Sequence, residues 1–171
     1  NCIMVIGANH TDAHPVTGAK LKQFAMKQDN VTIVIDPRRT EIARYADHHL
    51  ALRPGTNVAV LNMMMYYIID EGLVDDSFIK NRTEGYEDFI KELMAIDIDK
   101  LEAVSGVPRE QVRAAAIAYA TAPNAMSFHG LGVTEHSQGT FTVMQIADLA
   151  MLTGNIGRRG VGVNPLRGQN N

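Results

Sequence analysis

Residues 31–39 read VTIVIDPRR. The first five are valine, isoleucine or threonine with no polar alternation, the pattern of a strand covered on both faces. The run stops at Asp36-Pro37, because proline has no amide proton to give a sheet ladder. Arg38, Arg39 and Thr40 continue as a polar turn. A strand buried on both faces belongs to a parallel sheet with helical crossovers, so strands and helices should alternate on either side of it.

They do. CIMVIGAN (2–9) reads as a short buried strand running into a tight turn at Gly7, and PVTGAKLKQFAMKQ (15–28) has helical spacing. Pro15 suits a first helical turn, and Leu21, Phe24 and Ala25 share a face. TEIARYADHH (40–49) reads as a short helix with Thr40 as N-cap, and HLALRPGTN (49–57) as a third strand ending in a turn. His48-His49 reads as a surface pair. The first 57 residues are therefore β-α-β-α-β.

The middle of the chain reads as a helical insertion. NVAVLNMMMYYIIDEG (57–72) is apolar nearly all round, so it predicts a buried helix closed by Gly72, with Met63, Met64 and Met65 as packing. Two amphipathic segments fall in 75–97 and two more in 98–123, with Pro108 near a helix start. NAMSFHGLG (124–132) is a fourth strand and a glycine-bracketed turn, and 137–155 a helix ended by Gly154-Asn155. GRRGVGVNPLRGQNN (157–171) reads as a glycine-rich exit loop. The expected fold is an α/β, parallel-sheet, Rossmann-like dinucleotide-binding domain of three αβα layers, spanning 1–171 as one unit.

Composition narrows the function. The 171 residues are 46% hydrophobic and 20% charged with net charge −3, which is globular and gives nucleic acid no basic surface. No membrane segment is read, since the longest apolar run is broken by Asn62 and ends in acid. One cysteine, Cys2, leaves no internal disulfide or multi-cysteine site, and a cytoplasmic setting is expected. The chain begins inside a strand without methionine and no leader is read, so both ends are expected to be internal to a longer polypeptide.

In an open parallel sheet, ligands bind beyond the carboxyl ends of the strands. Four strand ends carry distinctive loops: Ile6 to His10, Asp36 to Thr40, Arg53 to Asn57 and Gly130 to His136. Glycines let a ligand approach the backbone. Arg38 or Arg39 can meet phosphate, Asp36 can accept from ribose hydroxyls, and Asn57 suits a purine edge. Together they read as a site for a nucleotide with a diphosphate. Each loop also has a plain reading as a turn or a solvated helix start, and the case rests on all four falling at strand ends. His10 and His14 stand four apart with Asp12 between, but Pro15 and the turn argue against a metal there. No GxGxxG occurs, which disfavours an ordinary NAD domain.

The motifs GANHTDAHP (7–15), VIDPRRTE (34–41), LRPGTNVA (52–59), RTEGYEDF (82–89), GLGVTEHSQGT (130–140) and MLTGNIGRRGVGVNPLRGQNN (151–171) together resemble the molybdopterin oxidoreductase family, and within it the catalytic alpha subunits of formate dehydrogenases. The resemblance runs over essentially the whole chain. It implies a large multi-domain subunit holding bis-molybdopterin guanine dinucleotide on molybdenum or tungsten, with a 4Fe-4S cluster outside this piece. It implies that Gly7, Ala8 and Asn9 line the pterin or diphosphate side. Asp36, Pro37, Arg38, Arg39 and Thr40 would surround the guanosine and its phosphates, and Gly55, Thr56 and Asn57 would face the guanine. Leu131, Gly132 and Glu135 would touch the pterin region, with Gln169 near it. Arg167 matches the arginine such enzymes place beside the metal to orient formate. No metal ligand is expected within 1–171, so the piece alone should be inactive. Implied partners are formate, the remaining domains of the subunit and electron-transfer subunits. The rivals are a sister molybdenum enzyme acting on nitrate or a sulfoxide, and a non-redox nucleotide-binding module such as the central domain of thiamine-diphosphate enzymes.

Overall fold

A computed structural model describes residues 1–166. In chain order the elements are β1 (Cys2–Ile6), α1 (His10–Ala13), α2 (Pro15–Ala25), β2 (Val31–Ile35), a 3-10 turn (Ile42–Arg44) and β3 (His48–Leu50). The helices α3 (Asn57–Asp70), α4 (Asp76–Arg82), α5 (Tyr86–Met94), α6 (Ile98–Ser105) and α7 (Arg109–Thr121) follow. The remainder is β4 (Ala125–His129), α8 (Leu131–Thr134), α9 (Gly139–Leu152) and β5 (Gly162–Pro165).

The strands form one five-stranded sheet in the order β3-β2-β1-β4-β5, parallel at every pairing. This is the doubly wound arrangement, in which the chain leaves β1 in one direction and returns to its other side at β4. The register sets Met4 beside Ile33 and Ser127, and Val5 beside Val34 and Phe128. Side chains alternate across a strand, so the two sets face opposite layers. Met4, Ile6, Ile33 and Ile35 join the large core with α3, α7 and α9. Ile3, Val5 and Val34 join a smaller one with Leu21 and Phe24 of α2 and Ile42 of the 3-10 turn. The two layers bury all of β1 and, beyond the partly buried Val31, all of β2, as such runs require.

The helical insertion occupies the thicker layer. α3 lies against α6, α7 and α9, which is why Leu61, Met63, Met64, Met65 and Ile68 are all fully buried on a helix with no polar side. It ends with Gly72 at φ 66°, where the Leu73 amide donates to the Ile68 carbonyl at 2.9 Å, a left-handed terminus that a side chain would resist. α4 and α6 start on Asp75 and Asp97, whose carboxylates accept from the amides of Phe78 and Lys100.

Three local readings change. The segment expected as a helix after β2 is a single 3-10 turn, and Thr40 makes no side-chain cap to it. Only Tyr45, Ala46 and Asp47 lie between that turn and the start of β3, too few for a crossover helix with a second turn. The exit loop contains a fifth strand, because the open edge of β4 supplies hydrogen-bond partners that the local sequence does not advertise. His48 and His49 are half-buried members of β3 rather than a surface pair. Cys2 opens β1, as its run of apolar residues indicates, and is 2% exposed.

Candidate functional site

The turns after β1 and β4 meet at the point where the sheet reverses direction. The Gly132 amide donates to the Gly7 carbonyl at 2.9 Å. A Cβ on Gly7 would stand 2.6 Å from the Gly132 carbonyl carbon, and one on Gly132 would stand 2.7 Å from the Gly7 oxygen. Gly7 also has φ 56°, a conformation that favours glycine. The two backbones are therefore packed directly on each other, and the floor they make carries no side chains.

A cleft of about 670 Å³ opens above this floor, within the range of pockets that hold a sizeable small molecule. The turns after β1, β2, β3 and β4 all contribute. Of the residues expected from sequence, Gly7, Ala8, Asn9, Asp36, Pro37, Arg38, Gly55, Asn57, Leu131 and Gly132 line it. Arg39, Thr40, Thr56 and Glu135 are not among its lining residues. Thr40 is buried with a hydroxyl that has no partner, and Arg39 and Glu135 are exposed. The Thr56 hydroxyl donates to the Arg53 carbonyl at 2.7 Å and closes its own turn. Arg167 and Gln169 lie outside the described residues.

Several side chains in the cleft have local duties. The Asn9 amide donates to Asp12 at 2.6 Å and its oxygen accepts from Thr11 at 2.7 Å, and its carbonyl accepts from the Ala13 amide at 2.9 Å, which leaves its main-chain N–H for a ligand. One Asp36 oxygen accepts from the Arg38 amide at 2.8 Å, with the Arg38 Nε 3.6 Å away. The second carboxylate oxygen stays available for a hydroxyl. The Arg38 guanidinium is mostly in solvent at the mouth. His49 Nε2 meets the Asp36 carbonyl at 3.0 Å, bracing that turn from β3. The Asn57 amide donates to the Gly132 carbonyl at 3.3 Å, which ties the start of α3 to the floor and leaves the amide oxygen as its free group.

Sequence reading assigned no ligand contact to His10, Asp12, His14 or His136, all of which line the cleft. They lie inside the quoted motifs, but nothing local tells a histidine that turns inward from one in solvent. Burial, reinforced by His14 and His129 nearby, pushes the His10 imidazole down to about 4.

A family model described as molybdopterin oxidoreductase matches residues 1–171. The chain belongs to the molybdopterin oxidoreductase family. This molybdopterin oxidoreductase chain is 44% identical over 171 residues to the alpha subunit of a formate dehydrogenase of Methanococcus maripaludis, covering 100% of this chain and 25% of that one. It is 43% identical over 169 residues to formate dehydrogenase H of Escherichia coli, covering 99% of this chain and 24% of that one. Among solved structures, acetylene hydratase from Pelobacter acetylenicus matches with a TM-score of 0.81 and 27% identity over 93% of this chain and 22% of that one. The chain thus spans about a quarter of the length of the curated relatives it matches. No helix among the described residues is long and apolar enough to cross a membrane.

A molybdopterin cofactor fits what the cleft offers. The Cβ-free floor at Gly7 and Gly132 admits a ligand against backbone, Arg38 can meet phosphate, and Asp36 and Asn57 each retain an acceptor oxygen for hydroxyl or base.

Proposed function

We propose that this chain is the part of a formate dehydrogenase catalytic subunit that grips one guanine dinucleotide arm of a bis-molybdopterin cofactor. The observation that carries the reading is the convergence of the four post-strand turns in one cleft at the sheet's reversal point, with a glycine floor. The identity of 43–44% to formate dehydrogenase subunits over the whole chain supports the choice of enzyme.

In this reading the turn after β1 and the Gly130–Gly132 turn hold the diphosphate and pterin side by main-chain contact. Asp36 accepts from ribose through its uncommitted oxygen, Arg38 closes over phosphate, and Asn57 presents its oxygen to the donor edge of guanine. When bound, the molybdenum or tungsten pterin supplies the two-electron redox chemistry. Formate gives up two electrons and a proton and leaves as carbon dioxide. Arg167, assigned by the sequence resemblance, holds the formate carboxylate by a guanidinium that stays charged and fixes the C–H bond toward the reacting centre. The metal ligand, a 4Fe-4S cluster and the electron-transfer subunits belong to the rest of the assembly.

The test uses the full-length protein. Metal analysis should find molybdenum or tungsten, and acid release should yield guanine nucleotide. A preparation active on formate with neither would remove the reading. Arg167→Ala with cofactor retained should lose formate turnover by roughly 10²-fold or more, and unchanged turnover would remove Arg167 from the mechanism.

A further inference from the structure

His10 is the most buried charged-capable side chain of the cleft, at 1% exposure. Its Nε2 and the Nδ1 of His14 are both enclosed and have no hydrogen-bond partner. Their ring centroids are 5.5 Å apart with the planes nearly perpendicular, and the centroid of the Phe128 ring of β4 stands 6.0 Å from that of His10. Gly18 of α2 sits so close that a Cβ there would be 2.7 Å from the His10 carbonyl. The pair is thus held between α2 and the sheet, and both residues line the cleft. Buried polar atoms are almost always hydrogen-bonded, so two such nitrogens beside an open cleft call for a partner that enters it.

We propose that His10, supported by His14, is a hydrogen-bonding site for the diphosphate of the nucleotide held in this cleft. The inference rests on the dinucleotide reading and adds residues to it. In doubly wound folds the diphosphate lies at the turn after the first strand, where His10 stands. A neutral imidazole can donate one hydrogen bond to phosphate, and a protonated one adds charge. Without ligand, the His10 ring is kept neutral by its burial and by His14 on its own turn and His129 from β4. The other charged or titratable groups of the cleft are Asp12 of α1, Asp36 and Arg38 after β2, and His136 after α8. A diphosphate outweighs these by proximity and draws a proton onto the pair, so binding strengthens as pH falls.

The experiment follows the histidine ring nitrogens of the full chain by NMR while GDP, inorganic pyrophosphate or guanosine is added in separate titrations. GDP and pyrophosphate should move the His10 resonance and guanosine should not. GDP should bind on the order of fourfold more tightly at about pH 5.5 than at about pH 7.5, beyond any change from its own phosphate, which titrates at about pH 6. His10→Gln, which can donate but not titrate, supplies the comparison and should lose that excess. If GDP binds while the His10 resonance stays still and the pH dependence matches His10→Gln, the histidine proposal falls and the nucleotide reading stands. A response to guanosine but not pyrophosphate removes the diphosphate assignment. GDP failing to bind at millimolar concentration overturns both. The wild-type titration is decisive even if the variant does not fold.

Discussion

The amide of Gly132 donates to the carbonyl of Gly7 at 2.9 Å, across 125 residues of sequence, and there is no room for a methyl group on either partner. This contact joins the turn after β1 to the turn after β4. It converts two adjacent strand ends into one continuous glycine floor.

Gly132→Ala should therefore cost more than an ordinary surface glycine substitution. Its Cβ would press on Gly7 backbone, which cannot swing away. We expect a loss of about 2–4 kcal/mol in urea unfolding. Gly55→Ala meets no atom within 4 Å and carries only the backbone cost of φ 86°, about 1 kcal/mol. Equal losses at the two sites would contradict the packed floor.

Asn57→Asp removes the amide that donates to Gly132 and sets a carboxylate beside that carbonyl at a 6% exposed position. The chain should lose roughly 1–3 kcal/mol near neutral pH and recover part of it on acidification, as the protonated acid can donate again. Unfolding midpoints across pH measure this directly.

Asn155 is 1% exposed, and its oxygen accepts from the Ala125 amide at 3.0 Å while its amide donates to the Thr153 hydroxyl at 2.8 Å. Arg158 also donates to the Asn155 oxygen at 3.1 Å. Asn155→Ala leaves the first amide of β4 without an acceptor. Its expected cost is about 1–3 kcal/mol, with faster hydrogen exchange at Ala125. Slow exchange retained there would show another acceptor.

Two buried groups set the pH limits. The His10 value falls from its usual 6.5 to about 4 in the folded chain, so the unfolded chain binds the proton more readily. Its stabilising contribution is whole above 6.5 and is lost as pH falls toward 4, and stability should decline across that window. His10→Gln should flatten the decline. The Cys2 thiol moves the other way, from 9.0 to about 12, chiefly through burial. Its contribution is whole below 9 and is lost as pH rises toward 12. At about pH 8, therefore, Cys2 should react with a thiol reagent only as fast as the chain opens. Rapid labelling under native conditions would refute its burial in β1.

Much of this was legible in the residues themselves. The unbroken apolar runs at Cys2–Ile6 and Val31–Ile35 specify strands covered on both sides, and Asp36-Pro37 specifies where the second one ends. The apolar circumference of Asn57–Asp70 specifies a buried helix. Glycines at 7, 55 and 132 marked turns against which a ligand could lie. β5 was not legible, because Gly162 to Pro165 becomes a strand only when the edge of β4 offers it a ladder. Nor was the shortness of the turn after Thr40, where three helical residues pack on β2 and the chain enters β3 at once.

The sequence by itself determined the alternation of strand and helix and the set of loops with ligand chemistry, since hydrophobic period and turn residues are local properties of the chain. Tertiary structure alone decided which atoms those loops present. Asn57 gives its amide to Gly132, Asn9 gives its side chain to its own turn, and His10 turns into the molecule beside His14. Asn57 finds its acceptor 75 residues away along the chain, and His10 packs against Phe128 of β4 across the fold. A local pattern names the functional groups, whereas a hydrogen bond is allotted only when every competing partner is in place.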